Sequence, residues 1–443
     1  METMFGTSGV RGKFGGDITV DLSVAVGRAL VADGAERIVL GQDPRTTGSI
    51  LADALSAGVR ESGGDIVDCG MVATPTLARA VAWRDADAGV MITASHNPPE
   101  DNGIKLWTPS GMAFDEARRE RIAALVEADK YDPADWDAVG AASEWDRATP
   151  RHHEAIVDAV APVADLSVVV DVGNGAGGVT AGALRALGCS VETLNAEPDG
   201  HFPSRPSEPT EEACKTLQAH VGATNADLGI AHDGDGDRMM AVDETGQFIG
   251  GDALLVLFGR QAAGEGDVIA APLNTSLAVG DTLAAVGASL TRTRVGDVFV
   301  AERAREDDVV FGGEPSGAWI WPDETLAPDG PLAAAKLAAL VDREGSLSAL
   351  VDGLPNYPLR RESIEVADKR GVMETVSARA SAKYESVEKL DGVRVEREDG
   401  WFLVRASGTQ PLIRITAEGR TEAATMELYD EARVLVEDAI NAR

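Results

Sequence analysis

The chain runs to 443 residues, more than one core usually organises, so roughly two to four domains are expected. Its 73 acidic residues against 40 basic ones leave a formal net charge of −33, which repels polynucleotides and anionic membranes and excludes both as partners. No apolar run reaches the length of a membrane span and Met1–Gly12 carries no signal pattern, so a cytoplasmic protein is expected.

In chain order, short runs rich in Val, Ile and Ala recur, each ending in a polar loop and followed by a helical stretch. They are Arg37-Ile-Val-Leu-Gly-Gln-Asp-Pro, Gly89-Val-Met-Ile-Thr-Ala-Ser-His and Ser167-Val-Val-Val-Asp-Val-Gly-Asn-Gly. Asp227-Leu-Gly-Ile-Ala-His-Asp-Gly, Asp267-Val-Ile-Ala-Ala-Pro-Leu-Asn and Val309-Val-Phe-Gly-Gly-Glu-Pro-Ser follow. Such runs between longer helical stretches predict α/β domains with buried strands, whose ligands gather at the carboxyl ends of those strands. Tyr131–Pro150, rich in Asp, Ala and Trp, reads as a linker, and further breaks fall near Phe248–Asp252 and Gly353–Pro358. The expected units are 1–148, 149–249, 250–357 and 358–443. The last has a different rhythm, with strands at Gly392-Val-Arg-Val and Trp401-Phe-Leu-Val and a helix from about Thr421, and reads as α+β. No internal repeat is visible. Cys69, Cys189 and Cys214 show no metal-ligand spacing and no even disulfide set, which suits a reducing compartment. The acidic charge is spread along the chain, and a salt-rich cytoplasm would screen it.

Five loops carry candidate chemistry. Thr93-Ala-Ser-His-Asn-Pro-Pro-Glu-Asp-Asn-Gly-Ile-Lys105 sets a serine on a rigid turn after a buried strand, where Ser95 is a candidate nucleophile. Asp233-Gly-Asp-Gly-Asp-Arg238 spaces three carboxylates on a glycine-relieved loop, a donor set suited to Mg²⁺ or Ca²⁺. An EF-hand frame would use Asp233, Asp235, Asp237 and Glu244, but the glycine it requires is Arg238 here and a strand precedes the loop. Gly173-Asn-Gly-Ala-Gly-Gly178 formally matches a dinucleotide fingerprint, with Glu192 as the acidic partner; a tight turn onto a helix explains it equally well. No Walker A sequence occurs. Gly312-Gly-Glu-Pro-Ser-Gly317 offers a carboxylate and a hydroxyl suited to sugar hydroxyls. Arg405-Ala-Ser-Gly-Thr-Gln-Pro-Leu-Ile-Arg414 has the composition of a phosphate cradle.

Apart from the Gly173 loop, these loops, taken with Gly6-Thr-Ser-Gly-Val-Arg-Gly12, resemble the α-D-phosphohexomutase superfamily in order and spacing over essentially the whole chain. The resemblance implies three related α/β domains and a C-terminal α+β domain around a central cleft. It implies that Ser95 carries a phosphoryl group and that Mg²⁺ is held by Asp233, Asp235, Asp237 and the phosphorylated Ser95. Lys105, Arg11, Arg238 and His96 become the remaining catalytic candidates, Lys105 as the proton carrier. Glu314 and Ser316 would hold sugar hydroxyls, and Arg405, Ser407, Gly408, Thr409 and Arg414 the non-reacting phosphate. The implied reaction interconverts hexose 6- and 1-phosphates through a 1,6-bisphosphate, which also serves as activator. The partner is a small sugar phosphate, and the protein would be a monomer or homodimer.

Two departures stand out. Many relatives carry histidine where this chain has Ala318, and glutamate where it has Gln410. Leu412-Ile-Arg-Ile-Thr-Ala-Glu-Gly419 resembles archaeal-type members acting on glucosamine phosphate, with mannose and glucose phosphates as alternatives. Rival readings are a metal-dependent sugar phosphatase, a nucleotide-sugar dehydrogenase built on the Gly173 loop, and a silent sugar-phosphate binder.

Overall fold

The computed structural model describes Gly6 and residues 9–129, 131–407 and 411–442. Four sheets organise it. In the first, the spatial order is Val10–Lys13, Asp101–Trp107, Ala88–Ile92, Arg37–Gln42, Asp65–Met71 and Ala142–Glu144. The second runs Phe248–Ile249, Met239–Asp243, Leu228–His232, Ser167–Asp171, Ser190–Leu194, and the third Ser289–Thr293, Val268–Pro272, Val309–Glu314, Ala318–Ile320.

A shared plan underlies these three sheets. A first strand is followed by a helix and a parallel strand at its side, then by a second helix and a third strand parallel to the first on its other side. The chain then reverses into an antiparallel neighbour: Ala88–Ile92 into Asp101–Trp107, Leu228–His232 into Met239–Asp243, Val309–Glu314 into Ala318–Ile320. The three related α/β domains that the resemblance implies are therefore visible in the topology, although no repeat is visible in the sequence. Buried strands accept any apolar residue of suitable volume, so equivalent elements share a plan without sharing letters.

The strands are apolar because both their faces are covered. Ala88–Ile92, Leu228–His232 and Met239–Asp243 are buried at every residue. The helix Gly330–Glu344 starts at the side-chain cap of Asp329, with Pro331 in its first turn, and buries ten residues. It belongs to one apolar core running from Ile156 to Leu347 that the second and third sheets share. The fourth unit has its own core, between a five-stranded antiparallel sheet and the helices Lys369–Lys383 and Glu422–Asn441.

The expected linker Tyr131–Pro150 carries structure of its own. Inside Tyr131–Pro150, Ala142–Glu144 joins the edge of the first sheet beside Asp65–Met71, and the helix Ala148–Ala159 begins. Trp145 anchors this segment edge-on against Trp83, and its backbone N–H donates to the Asp68 carbonyl.

Buried polar groups tie the units together. Asp329 Oδ2 accepts from Arg79 Nε and meets His152 Nε2, both at 3.0 Å, while His152 Nδ1 lies 2.7 Å from Thr76 Oγ1. Glu418 of the fourth sheet caps the helix Leu277–Ala285, accepting from Leu277 N and Ser276 Oγ at 2.6 Å and from Trp401 Nε1 at 2.8 Å. No described helix is long and apolar enough to cross a membrane.

Candidate active site

The three strand reversals hold the Ser95 loop, the aspartate loop and the Glu314 loop. Ser95 itself sits at φ 52°, a left-handed conformation that costs a non-glycine residue about 1–3 kcal/mol and persists only where surroundings enforce it. The enforcement comes from Arg45, which is buried. Its guanidinium donates to the carbonyls of Ser95 (2.9 Å), Asn97 (2.7 Å), Pro98 and Asp101 (2.8 Å), and its Nε to Asp43 at 3.0 Å. Thr93 Oγ1 donates to Asp43 at 2.6 Å and accepts from Ser95 N at 2.8 Å, closing the turn. Burial pushes Asp43 up to about 6, against the opposing pull of the Arg45 charge.

Ser95 Oγ donates to Asp233 Oδ2 at 2.8 Å and lies 3.3 Å from His96 Nδ1. Burial, helped by the charges of Arg238, Arg11 and Lys105, lowers His96 to about 2, so its imidazole is neutral. Asp233, Asp235 and Asp237 converge with carboxylate oxygens within 4.8 Å of one another. Burial and the neighbouring charges of Asp237 and Asp235 raise Asp233 well above the usual carboxylate range. For Asp235 burial works in the same direction, but the charge and hydrogen bond of Lys105 prevail and hold it low. Lys105 Nζ donates to Asp235 Oδ2 and Asp237 Oδ2, each at 2.7 Å, and their charges outweigh its burial and raise it. Thr74 supports the same loop, its Oγ1 donating to Asp235 Oδ2 at 2.6 Å. The other oxygen, Asp235 Oδ1, is buried with no hydrogen-bond partner. Three hard carboxylates, one raised by the crowding of the other two and one with an orphaned oxygen, fit a divalent cation such as Mg²⁺.

A cavity of about 620 Å³ brings the four units together. Arg11, Ser95 and His96 line it from the first unit, and Asp237 and Arg238 from the second. The third supplies Glu314 and Ser316, where Ser316 Oγ donates to Glu314 Oε2 at 2.8 Å. The fourth supplies Arg405 and Arg414, which face each other across neighbouring antiparallel strands. Arg405 also pairs with Asp391 at 2.8 Å. Ser407 is buried, and its carbonyl accepts from Lys369 Nζ at 2.8 Å. Gly408 and Thr409 lie outside the described residues. Ala318 lines the cavity and bridges to Arg238, so the backbone joins the Glu314 loop to the aspartate loop.

Sequence reading missed Arg45, Asp43 and Thr74, because a buried arginine after a Asp-Pro turn looks like any polar loop residue. It also left the Gly173 loop open. There Ala176 N donates to the Gly234 carbonyl, and a Cβ on Gly175 would lie 2.7 Å from that oxygen. These glycines let the loop press against the aspartate loop. The Arg205 guanidinium crowds Gly173, and Glu192 pairs with His220 at 3.1 Å, so neither element of the fingerprint is arranged for a dinucleotide.

Sequence comparison agrees with this geometry. Family models of phosphoglucomutase/phosphomannomutase match in chain order: alpha/beta/alpha domain I over residues 2–132, domain II over 151–246, domain III over 250–357 and the C-terminal domain over 363–434. A Methanococcoides burtonii protein named probable phosphoglucosamine mutase is 44% identical over 99% of this chain and 100% of its own length. The crystal structure of a phosphoglucomutase/phosphomannomutase family protein from Burkholderia thailandensis superposes with a TM-score of 0.89 at 29% identity, covering 99% of this chain and 98% of that one. At 16% identity the Aspergillus fumigatus N-acetylphosphoglucosamine mutase, solved with GlcNAc-6P and magnesium, shares the fold with a TM-score of 0.61 over 98% of this chain and 96% of its own. Four matched domains in order and a relative spanning the full length establish that this chain belongs to the phosphoglucomutase/phosphomannomutase family.

Proposed function

We propose that the protein interconverts glucosamine 6-phosphate and glucosamine 1-phosphate through a phosphorylated Ser95 and the 1,6-bisphosphate. The observation that carries this is Ser95 itself: a strained, buried serine bonded to a three-carboxylate cluster, in the same cavity as two facing arginines. Like charges directly opposite on paired strands repel, and an anionic phosphate between Arg405 and Arg414 would offset that cost. Ser407, and Gly408 and Thr409 beyond the described residues, would complete this cradle. The 44% identity to the Methanococcoides burtonii probable phosphoglucosamine mutase, over 99% of this chain, supports glucosamine as the sugar.

Asp233, Asp235, Asp237 and Ser95 would hold Mg²⁺, one per site, which would neutralise charge on the transferring phosphoryl group. The chain's own groups do the rest. Arg45 and the closed turn aim Ser95 Oγ, and Arg405 and Arg414 fix the far phosphate so that a sugar hydroxyl faces the serine. Phosphoryl transfer breaks the bond to Ser95 Oγ and forms one to the sugar oxygen, so a proton must pass the opposite way. Lys105, held charged by Asp235 and Asp237, can give its proton to Ser95 Oγ and take one from the sugar hydroxyl, which leaves it unchanged overall. His96, with Nδ1 3.3 Å from Ser95 Oγ, would help to orient the serine. Glu314 and Ser316 would accept and donate to sugar hydroxyls. After the bisphosphate turns over, the other phosphate returns to Ser95.

Phosphorus NMR tests this directly, with Mg²⁺, a trace of hexose 1,6-bisphosphate and, in parallel, glucosamine, glucose or mannose 6-phosphate. A 1-phosphate signal growing fastest from glucosamine 6-phosphate is expected. Free phosphate without any 1-phosphate would overturn the mutase reading.

A further inference from the structure

Gly234 and Gly236 leave the backbone of the aspartate loop free to deform, Gly236 at φ 70°, and the three buried carboxylates repel one another. Lys105 offsets part of this repulsion and braces two of the side chains, but not the main chain. The course of the loop is imposed from outside, by two helix starts that press on it. The helix Thr74–Trp83 of the first unit begins with Thr74, whose N–H donates to the Asp235 carbonyl at 2.8 Å and whose hydroxyl donates to Asp235 Oδ2 at 2.6 Å. The helix Gly330–Glu344 of the third unit begins at Gly330. A Cβ there would lie 2.5 Å from the Arg238 carbonyl oxygen and 2.8 Å from that of Gly236.

These two helix starts are tied to each other by residues that do not line the cavity. Asp329 divides its carboxylate between two tasks. Oδ1 accepts from Leu332 N at 3.0 Å and caps the third unit's helix, while Oδ2 meets Arg79 Nε and His152 Nε2, each at 3.0 Å. Arg79 belongs to the helix that Thr74 begins, and its Nη1 also donates to the Glu324 carbonyl of the third unit at 3.2 Å. His152 comes from the helix Ala148–Ala159, and its Nδ1 lies 2.7 Å from the hydroxyl of Thr76 on that same first-unit helix. A carboxylate only accepts, so His152 Nε2 carries the hydrogen between it and Asp329. Thr76, His152 and Asp329 are fully buried and Arg79 nearly so, which makes these bonds costly to leave unmade.

Resting on the cation site of the proposed mutase reading, we infer that Asp329 is a positioning residue for that site. Joined to Arg79 and His152, it fixes the separation of the two helix starts. Through Thr74 and Gly330 it thereby holds Asp233, Asp235 and Asp237 in the spacing a divalent cation needs. Asp329, Arg79 and His152 touch neither the cation nor the sugar phosphate. Their effect is preorganisation: the carboxylates are already converged, so the loop need not be ordered at the moment of binding.

Asp329→Asn separates this role from helix capping, because its carbonyl can still accept from Leu332 N while its amide cannot accept from Arg79 or His152. Mg²⁺ alone is titrated into the full chain by calorimetry, with melting temperatures taken alongside. The Mg²⁺ dissociation constant should rise about tenfold or more in this variant. Leu340→Ala is the comparison: it truncates a buried side chain farther along the same helix and lowers the melting temperature, yet its Mg²⁺ constant should stay within about twofold. Thr76→Val removes only the hydroxyl beside His152 and should weaken Mg²⁺ binding by about threefold, so it decides the matter if Asp329→Asn does not fold. Unchanged Mg²⁺ binding in the deciding variant, or equal weakening in Leu340→Ala, would overturn the inference and leave the mutase reading intact. A wild-type protein that bound no Mg²⁺ would overturn the cation site itself, and this inference with it.

Discussion

Replacing Arg45 by Met removes the group that holds the Ser95 turn while keeping most of its volume. Five hydrogen bonds go with it, four of them to carbonyls of residues 95–101. Stranding a buried charge partner costs ~3–5 kcal/mol, and here the stranded group is Asp43. The strain stored at Ser95, ~1–3 kcal/mol, then has nothing to oppose its release, and the hydroxyl swings away from Asp233. A misplacement of about 1 Å lowers turnover about a hundredfold. The fall belongs in kcat, because Arg45 is not on the cavity wall and KM for the sugar phosphate should hardly move.

The same variant carries a pH signature. Asp43 has a folded value of about 6 against an ordinary 3.8, so its charging opposes the fold: the stability it contributes is full below about 3.8 and is lost as pH rises through about 6. Without Arg45 its charged form loses its main support, and the value rises further. The deficit of Arg45→Met in urea unfolding should therefore be smaller near pH 5 and grow as pH rises past about 6. A deficit that is flat over this range, or an unchanged kcat by phosphorus NMR, would refute the role given to Arg45.

Other expectations follow from single contacts. Ser95→Ala and Ser95→Gly should both abolish turnover and phosphate labelling of the protein, yet the glycine variant should unfold ~1 kcal/mol later because it accepts φ 52° without strain. Asp235→Asn should remove the rise in melting temperature that Mg²⁺ gives the wild type, as read by scanning calorimetry, because the orphaned oxygen is the one a cation would satisfy. His232 is lowered from 6.5 to about 4 by burial, so the stability it contributes is present above 6.5 and is lost as pH falls through about 4. His232→Gln should flatten that acid limb in urea unfolding, and an unchanged slope would count against it.

What could be read before folding was whatever chemistry sits in one short stretch. The aspartate loop declares itself because Asp233, Asp235 and Asp237 are four residues apart at most, at the end of an apolar strand. Ser95 is legible for the same reason, since the residues that make its turn rigid follow it directly. The contacts between units are not legible. His152 meets Asp329 across 177 positions and Arg79 meets it across 250, and nothing local marks any of the three as partners. Arg45 lies fifty residues before the serine it controls. Gly296 reads as an ordinary turn glycine until the fold sets its N–H against Glu314. The threefold plan was hidden because burial selects for volume and not for identity.

That plan explains where the precision of the site must come from. Each α/β unit offers the same place, the reversal from its third strand into an antiparallel neighbour, and each fills it with different side chains: Ser95, the three aspartates, and Glu314 with Ser316. No unit holds a working site by itself, so the geometry depends on how the reversals meet. They meet by hydrogen bonds that cross units. Ser207 Oγ donates to the Ser95 carbonyl at 2.9 Å, Thr74 N to the Asp235 carbonyl at 2.8 Å, and Met239 N to the Gly317 carbonyl at 2.9 Å. The second and third units share one core, which couples the aspartate and Glu314 loops. The phosphate cradle is different. Its unit has a separate core, and Glu418 fastens it to the third unit at the capped helix start. A rotation about that joint would move Arg405 and Arg414 relative to Ser95 while leaving the three reversals fixed. The reaction needs such freedom at the cradle alone, because the bisphosphate must turn over between two phosphoryl transfers at a centre that does not move.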